Sequence, residues 1–152
     1  MFFVDRCLGR KTVPEALRFA LELGERVETH DAHFDPDARD VDWLSAVGKR
    51  GWVVLSQDQR ISRNPLEQRA LLGANVAFFG VGAANAPGAE IAAVLERALP
   101  AIRRALRRFR LPMIASVTLK SDVNVKWNDG VRTPEPIRIA APKYPAKTSG
   151  EK

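Results

Sequence analysis

Three aspartates are placed where they could share one task. Asp5 closes the run Met1-Phe2-Phe3-Val4, four apolar residues that end abruptly in an acid. Asp58 lies three residues beyond Leu55, at the exit of a second apolar run, Trp52-Val53-Val54-Leu55. Asp40 lies in a stretch with helical spacing, where Trp43, Leu44 and Val47 fall within about 60° of it at 100° per residue. That places Asp40 on the apolar stripe, whereas Asp42 falls roughly opposite and should face solvent. An inward carboxylate is costly unless it is paired, hydrogen-bonded or bound to a cation, and three brought together repel one another. A divalent cation removes the conflict, and an all-oxygen ligand set selects a hard ion, Mg²⁺ or Mn²⁺. Ions held this way, with water and phosphate oxygens completing the shell, suit phosphodiester hydrolysis. The competing reading treats the three separately: Asp5 a turn residue, Asp40 a helix-start residue and Asp58 a loop residue.

The neighbours of these aspartates fit either reading. Ser56, two residues before Asp58, could hydrogen-bond a carboxylate or a metal-bound water, or simply end a strand. Arg6, Arg60 and Arg63 flank the proposed site and could hold a phosphate backbone or neutralise the aspartates. His30 and His33 lack the further Cys or His that a zinc centre needs. Cys7 has no evident base and reads as a small packed residue rather than a nucleophile. A phosphatase-like use of Asp5 as nucleophile would want a second acid two residues on, where Cys7 stands.

For Asp5 and Asp58 to meet, the elements before them must be strands of one parallel sheet, whose carboxyl ends all open on the same crevice. The chain supplies that order. Met1 to Val4 is a short buried strand. Thr12-Val13-Pro14-Glu15 reads as a capping box opening a helix whose apolar face is Val13, Ala16, Leu17, Ala20 and Leu21, stopped by Gly24. Arg26 to His30 is a weaker strand near a sheet edge, followed by a polar loop from Asp31 to Asp37. Asp35-Pro36 starts a helix that runs to about Lys49 and ends at Gly51. After the strand Trp52–Leu55, a short helix from about Pro65 to Leu72 stops at Gly73, and Val76 to Phe79 forms a fourth strand. Alternation of this kind with short connections means a parallel sheet with helices on its faces, joined by right-handed crossovers.

Beyond a small-residue loop from Gly82 to Gly88, a long helix spans about Ala89 to Phe109. Its far end carries Arg103, Arg104, Arg107, Arg108 and Arg110. Cations there suit the negative end of the helix dipole, and they could equally bind phosphate. Met113 to Leu119 and Asp122 to Trp127 alternate about Lys120-Ser121 as a β-hairpin does. From Asn128 on, the chain is rich in Pro, Lys and Ala and reads as a loosely packed or disordered tail. The domain expectation is a nuclease-type unit over 1–110 and a hairpin with a basic tail over 111–152.

The net charge of +6 is unevenly spread. Residues 1–82 carry 11 Lys and Arg against 12 Asp and Glu, and residues 83–152 carry 13 against 6, so the whole excess lies in the second stretch. This asymmetry points to a polyanionic partner, nucleic acid first, or to a solvated basic surface. With 45% hydrophobic residues the chain can bury a core, and no run approaches the roughly 20 apolar residues of a membrane span. A single cysteine excludes an internal disulfide and, with no evident secretion signal, a cytoplasmic location is expected.

Three stretches together, Phe2-Phe3-Val4-Asp5-Arg6-Cys7-Leu8-Gly9, Asp40-Val41-Asp42-Trp43-Leu44 and Gly51-Trp52-Val53-Val54-Leu55-Ser56-Gln57-Asp58, resemble the PIN-like domains of toxins from bacterial VapBC-type toxin–antitoxin systems, in the small VapC45-like branch. The resemblance covers roughly residues 2–82. It implies an α/β three-layer fold with a central, mainly parallel sheet flanked by helices, to which the hairpin is added. It also implies a Mg²⁺- or Mn²⁺-dependent endoribonuclease with Asp5, Asp40 and Asp58 as catalytic metal ligands and Ser56 and Arg6 in support. Arg60, Arg63, Arg103, Arg104, Arg107 and Arg108 are then candidates for RNA contact. An RNA substrate, a silencing antitoxin and a homodimer are the implied partners. One departure stands out: Gln59, Arg60 and Ile61 follow Asp58, with no fourth acid evident and Asn64 the nearest substitute. A catalytically inactive PIN-fold module that binds RNA or a partner through the basic last third is the alternative.

Overall fold

A computed structural model describes residues 1–9, 11–57, 65–82 and 86–142 of the chain. Seven strands form one sheet: β1 (Phe2–Val4), β2 (Val27–Thr29), β3 (Val53–Gln57), β4 (Ala77–Val81), β5 (Met113–Val117), β6 (Val123–Asn128) and β7 (Val131–Ile139), in the order β2-β1-β3-β4-β5-β6-β7. The first five are parallel and the last two antiparallel. The expected α/β architecture with a mainly parallel central sheet is therefore present, and the weak strand, β2, does lie at an edge. The helices are α1 (Thr12–Phe19), α2 (His30–His33), α3 (Asp40–Lys49), α4 (Pro65–Ala74) and α5 (Gly88–Arg108), with a 3-10 turn at Arg6–Leu8 directly after β1.

The two faces of the sheet follow from strand alternation, since successive side chains point to opposite sides. Phe2, Val4, Leu55, Phe79 and Met113 pack with α1 and α5. Phe3, Val54, Phe78 and Ile114 pack with α3 and α4. By the same alternation Asp5 and Ser56 belong to the α3–α4 face, and strand register sets them side by side, because Val4 pairs with Leu55. An aromatic group led by Phe3 seats α3: Phe3 lies 5.3 Å from Trp43 and 5.8 Å, edge-on, from Phe34 between ring centroids.

Four local expectations need correction. No side chain caps α1: Lys11, not Thr12, is its N-cap residue, and the Glu15 amide donates to the Lys11 carbonyl, so the capping box does not form. Residues 35–39 form a turn, with the Ala38 amide on the Asp35 carbonyl, so α3 begins at Asp40 and not at Asp35-Pro36. The polar loop after β2 contains the one-turn α2. The segment read as an irregular tail contains a nine-residue strand, β7. Its pattern was hidden because most of it is exposed and it carries Pro134 and Pro136, which are tolerated at a sheet edge where no ladder bond is needed from them. The hairpin is present as β5 and β6, but β5 also pairs with β4, so strands β5 to β7 continue the same sheet. Residues 143–152 lie outside the described residues.

Candidate active site

Asp5 follows β1 at the carboxyl edge of the sheet and is 2% exposed. Its orientation is fixed from both sides. Oδ2 accepts the Ser56 hydroxyl at 2.8 Å, and Oδ1 accepts the Arg6 amide at 2.7 Å, which makes Asp5 the N-cap of the 3-10 turn. The Asp5 amide in turn donates to the Leu55 carbonyl at 2.9 Å, continuing the β1–β3 ladder past the last strand residue. Ser56 is fully buried, and its Oγ also lies 3.2 Å from Cys7 Sγ. Ser56, expected beside the site, reaches Asp5 with its hydroxyl across the strand pair. Cys7 is packed beside this contact, and its carbonyl accepts the Gln57 side-chain amide at 3.2 Å.

Asp40 is the first residue of α3 and is partly buried, while Asp42 is exposed and pairs with Arg39 at 3.1 Å. The orientation argued from helical spacing therefore holds. Trp43, one turn on, donates its indole N–H to Asp40 Oδ1 at 2.9 Å. That hydrogen bond and the helix N-terminus together offset the desolvation of an inward carboxylate.

Asp5 and Asp40 line one small hollow with Trp43, Leu44, Leu71, Phe78 and Glu67. Its volume is about 10 Å³, room for a single water-sized body. Glu67, in the first turn of α4, is the acid that sequence reasoning missed. The available signal was its position in the first turn of the helix after β3, where it precedes the inward Leu71 by one turn. The carboxylates of Asp5, Asp40 and Glu67 offer oxygen donors, the kind that a hard cation such as Mg²⁺ or Mn²⁺ takes. Among the described residues, no three acidic, histidine or cysteine groups are close enough to form a complete metal centre by themselves. Asp58, Arg60, Arg63 and Asn64 lie outside the described residues.

Arg6 does not line this hollow. Its Nε lies 3.1 Å from Asp31 Oδ1 and its Nη1 donates to the Pro36 carbonyl at 3.1 Å, beside the carboxyl end of β2. Arg6 thus braces the turn leading into α3. Arg103 is likewise engaged: its Nη2 donates to Glu25 Oε1 at 2.8 Å and to the Ala20 carbonyl at 2.9 Å, and its Nε donates to Glu25 Oε2 at 3.0 Å. This two-pronged bond lowers the Glu25 carboxyl from its ordinary value and raises the Arg103 guanidinium. Arg104, Arg107 and Arg108 are grouped elsewhere, along an open groove beside Ile139 of β7, on the α1–α5 face. The structure therefore unites Asp5 and Asp40, adds Glu67, and separates the arginines of α5 from them. Among the described residues no helix is long and apolar enough to cross a membrane.

Comparison with known proteins places the chain in a family. Residues 1–83 match the family described as "PIN like domain", a span that contains Asp5, Asp40, Asp58 and Glu67. The chain is 35% identical over 119 residues to "Putative ribonuclease VapC45" of Mycobacterium tuberculosis (strain ATCC 25618 / H37Rv), covering 76% of this chain and 83% of that protein. No solved structure matches it. With a family match over more than half its length and a relative aligned along most of both chains, the protein belongs to the PIN-like domain family, in its VapC-type branch.

Proposed function

We propose that this chain is a metal-dependent endoribonuclease, the toxin of a type II toxin–antitoxin pair. The observation that carries the reading is that Asp5 and Asp40, from separate elements, line one small hollow at the carboxyl edge of the sheet, with Glu67 also in its lining. The relative's description as a ribonuclease supports RNA as the substrate. Asp5 and Asp40, with Glu67 and Asp58, are the residues proposed to hold Mg²⁺ or Mn²⁺. Once bound, the ion supplies a water nucleophile available at neutral pH and neutralises charge on the phosphate.

The chain's own part is positioning. Ser56 holds the Asp5 carboxylate in one rotamer, and Trp43 does the same for Asp40. Leu71 and Phe78 form an apolar floor that limits water in the hollow and strengthens the field of the carboxylates. A cognate antitoxin is the proposed protein partner, with a homodimer as the proposed assembly and the cytoplasm as the location.

The test is cleavage of end-labelled single-stranded RNA by the purified chain. EDTA should abolish cleavage, added Mn²⁺ should restore it, and the products should carry a 5′ phosphate and a 3′ hydroxyl, as attack by water with departure of the 3′ oxygen requires. Cleavage undiminished by EDTA, or products ending in a 2′,3′-cyclic phosphate, would overturn the proposal, since the latter require the RNA's own 2′ hydroxyl as nucleophile.

A further inference from the structure

Three arginines of α5 converge on one groove of about 320 Å³, where Arg104, Arg107 and Arg108 line it with Ile139 of β7. At spacings of three and four residues they are neighbours on the helix surface, an arrangement that is mutually repulsive in the absence of counter-charge. Four other arginines do have a carboxylate partner: Arg6 with Asp31, Arg39 with Asp42, Arg103 with Glu25 and Arg138 with Asp122. Among the described residues no carboxylate pairs with Arg104, Arg107 or Arg108. The helix dipole favours cations at this end, but it does not account for three of them opening on one groove.

The position of the groove decides what it can bind. The start of α5 lies at the carboxyl edge of the sheet, where Gly88 faces Thr12, and β5 begins at the opposite edge only five residues after α5 ends. The 21 residues of α5 span about 30 Å. The arginines sit near its far end and on the other face of the sheet from Asp5, Asp40 and Glu67. A phosphate in the groove is therefore not the one being cut. We infer that the groove is a remote docking site for the phosphates of an RNA chain long enough to extend from it to the carboxylate hollow. The inference rests on the ribonuclease reading and adds a substrate class to it: RNA that spans about 30 Å or more, equivalent to roughly nine phosphates along one strand of a helix.

The experiment measures binding separately from cleavage. The full chain carrying Asp5→Asn, so that RNA survives, is titrated by fluorescence anisotropy with a labelled trinucleotide and with a long RNA between 50 and 200 mM salt. The comparison chain adds R104Q, R107Q and R108Q, and a third carries lysine at the three positions. For long RNA the glutamine chain should lose about 2 from the slope of log affinity against log salt, at about 0.7 per single-strand phosphate contact. The chain with arginines then gains about 16-fold more affinity than the glutamine chain on going from 200 to 50 mM salt. The lysine chain should keep the slope, and the trinucleotide, with fewer phosphates to offer, should show a smaller loss than the long RNA. Equal slopes on long RNA, or an equal loss on the trinucleotide, overturn the inference. Cleavage is scored separately, with the chain that keeps Asp5. Cleavage with equal slopes removes the groove and keeps the nuclease. No cleavage with the slope difference intact does the reverse.

Discussion

The most informative contact is the hydroxyl of Ser56 on Oδ2 of Asp5, because it joins two strands at the point where each delivers a side chain to the site. Removing it frees the carboxylate to rotate without removing any proposed ligand. Ser56→Ala should therefore lower metal affinity and cleavage rate about 10- to 100-fold, the usual range for a group that orients a ligand. Titration of Mn²⁺ into the two proteins, followed by rate measurements at saturating metal, separates the two effects. Glu67→Gln tests the acid that the structure adds. It should weaken Mn²⁺ binding while leaving the fold intact, since Glu67 is only partly buried; unchanged binding and rate would remove it from the site. Arg103 belongs to a different class. Its bonds to Glu25 and the Ala20 carbonyl tie α5 to the end of α1. Arg103→Ala should cost about 1.5–3 kcal/mol of stability by urea denaturation, with little direct effect on chemistry.

At the level of elements, the site depends on α3 and α4 holding their spacing. Gly48 of α3 packs against the carbonyl of Ala74, the last residue of α4, and a Cβ there would collide with that backbone. Gly48→Ala should force the helices apart, at a cost of about 1–3 kcal/mol or somewhat more, and should move Asp40 and Glu67 relative to each other. Thermal denaturation and cleavage rate should fall together; a stable and fully active variant would show that the spacing is not critical. The parallel sheet was legible because its strands contain short buried apolar runs flanked by polar breaks, as at Phe2–Val4 and at Trp52–Leu55, which overlaps the strand Val53–Gln57. The inward turn of Asp40 was legible from helical spacing alone. Glu67 was not, because a single acid near a helix start is equally well explained by the dipole, and only the packing of α4 on α3 brings it to Asp5 and Asp40. β7 was not legible either: it covers a sheet edge rather than a core, so it lacks the alternation that marks a half-buried strand.

At the level of the whole molecule, two carboxylates link distant parts of the chain and make its stability depend on pH. Glu25 is held below its ordinary value of 4.5 chiefly by the Arg103 hydrogen bond. Asp122 is held below 3.8 first by the Ala141 amide and then by Arg138, which fasten the end of β7 to the turn between β5 and β6. Both pKa values are lower folded than unfolded, so each group stabilises the fold above its ordinary value and loses that contribution as pH falls through the folded one. Urea midpoints should thus fall as the solution is acidified below about pH 4.5, and Glu25→Gln should flatten part of that slope. The groove of Arg104, Arg107 and Arg108 and the hollow of Asp5 and Asp40 lie on opposite faces of one sheet.

The central claim is that Asp5 is a metal ligand on which RNA hydrolysis depends. The most direct measurement compares the rate of single-stranded RNA cleavage in Mn²⁺ by the full chain and by its Asp5→Asn variant, with RNA affinity measured alongside. The predicted result is that the variant binds RNA about as well and does not cut it. Equal cleavage by the two proteins would contradict the claim.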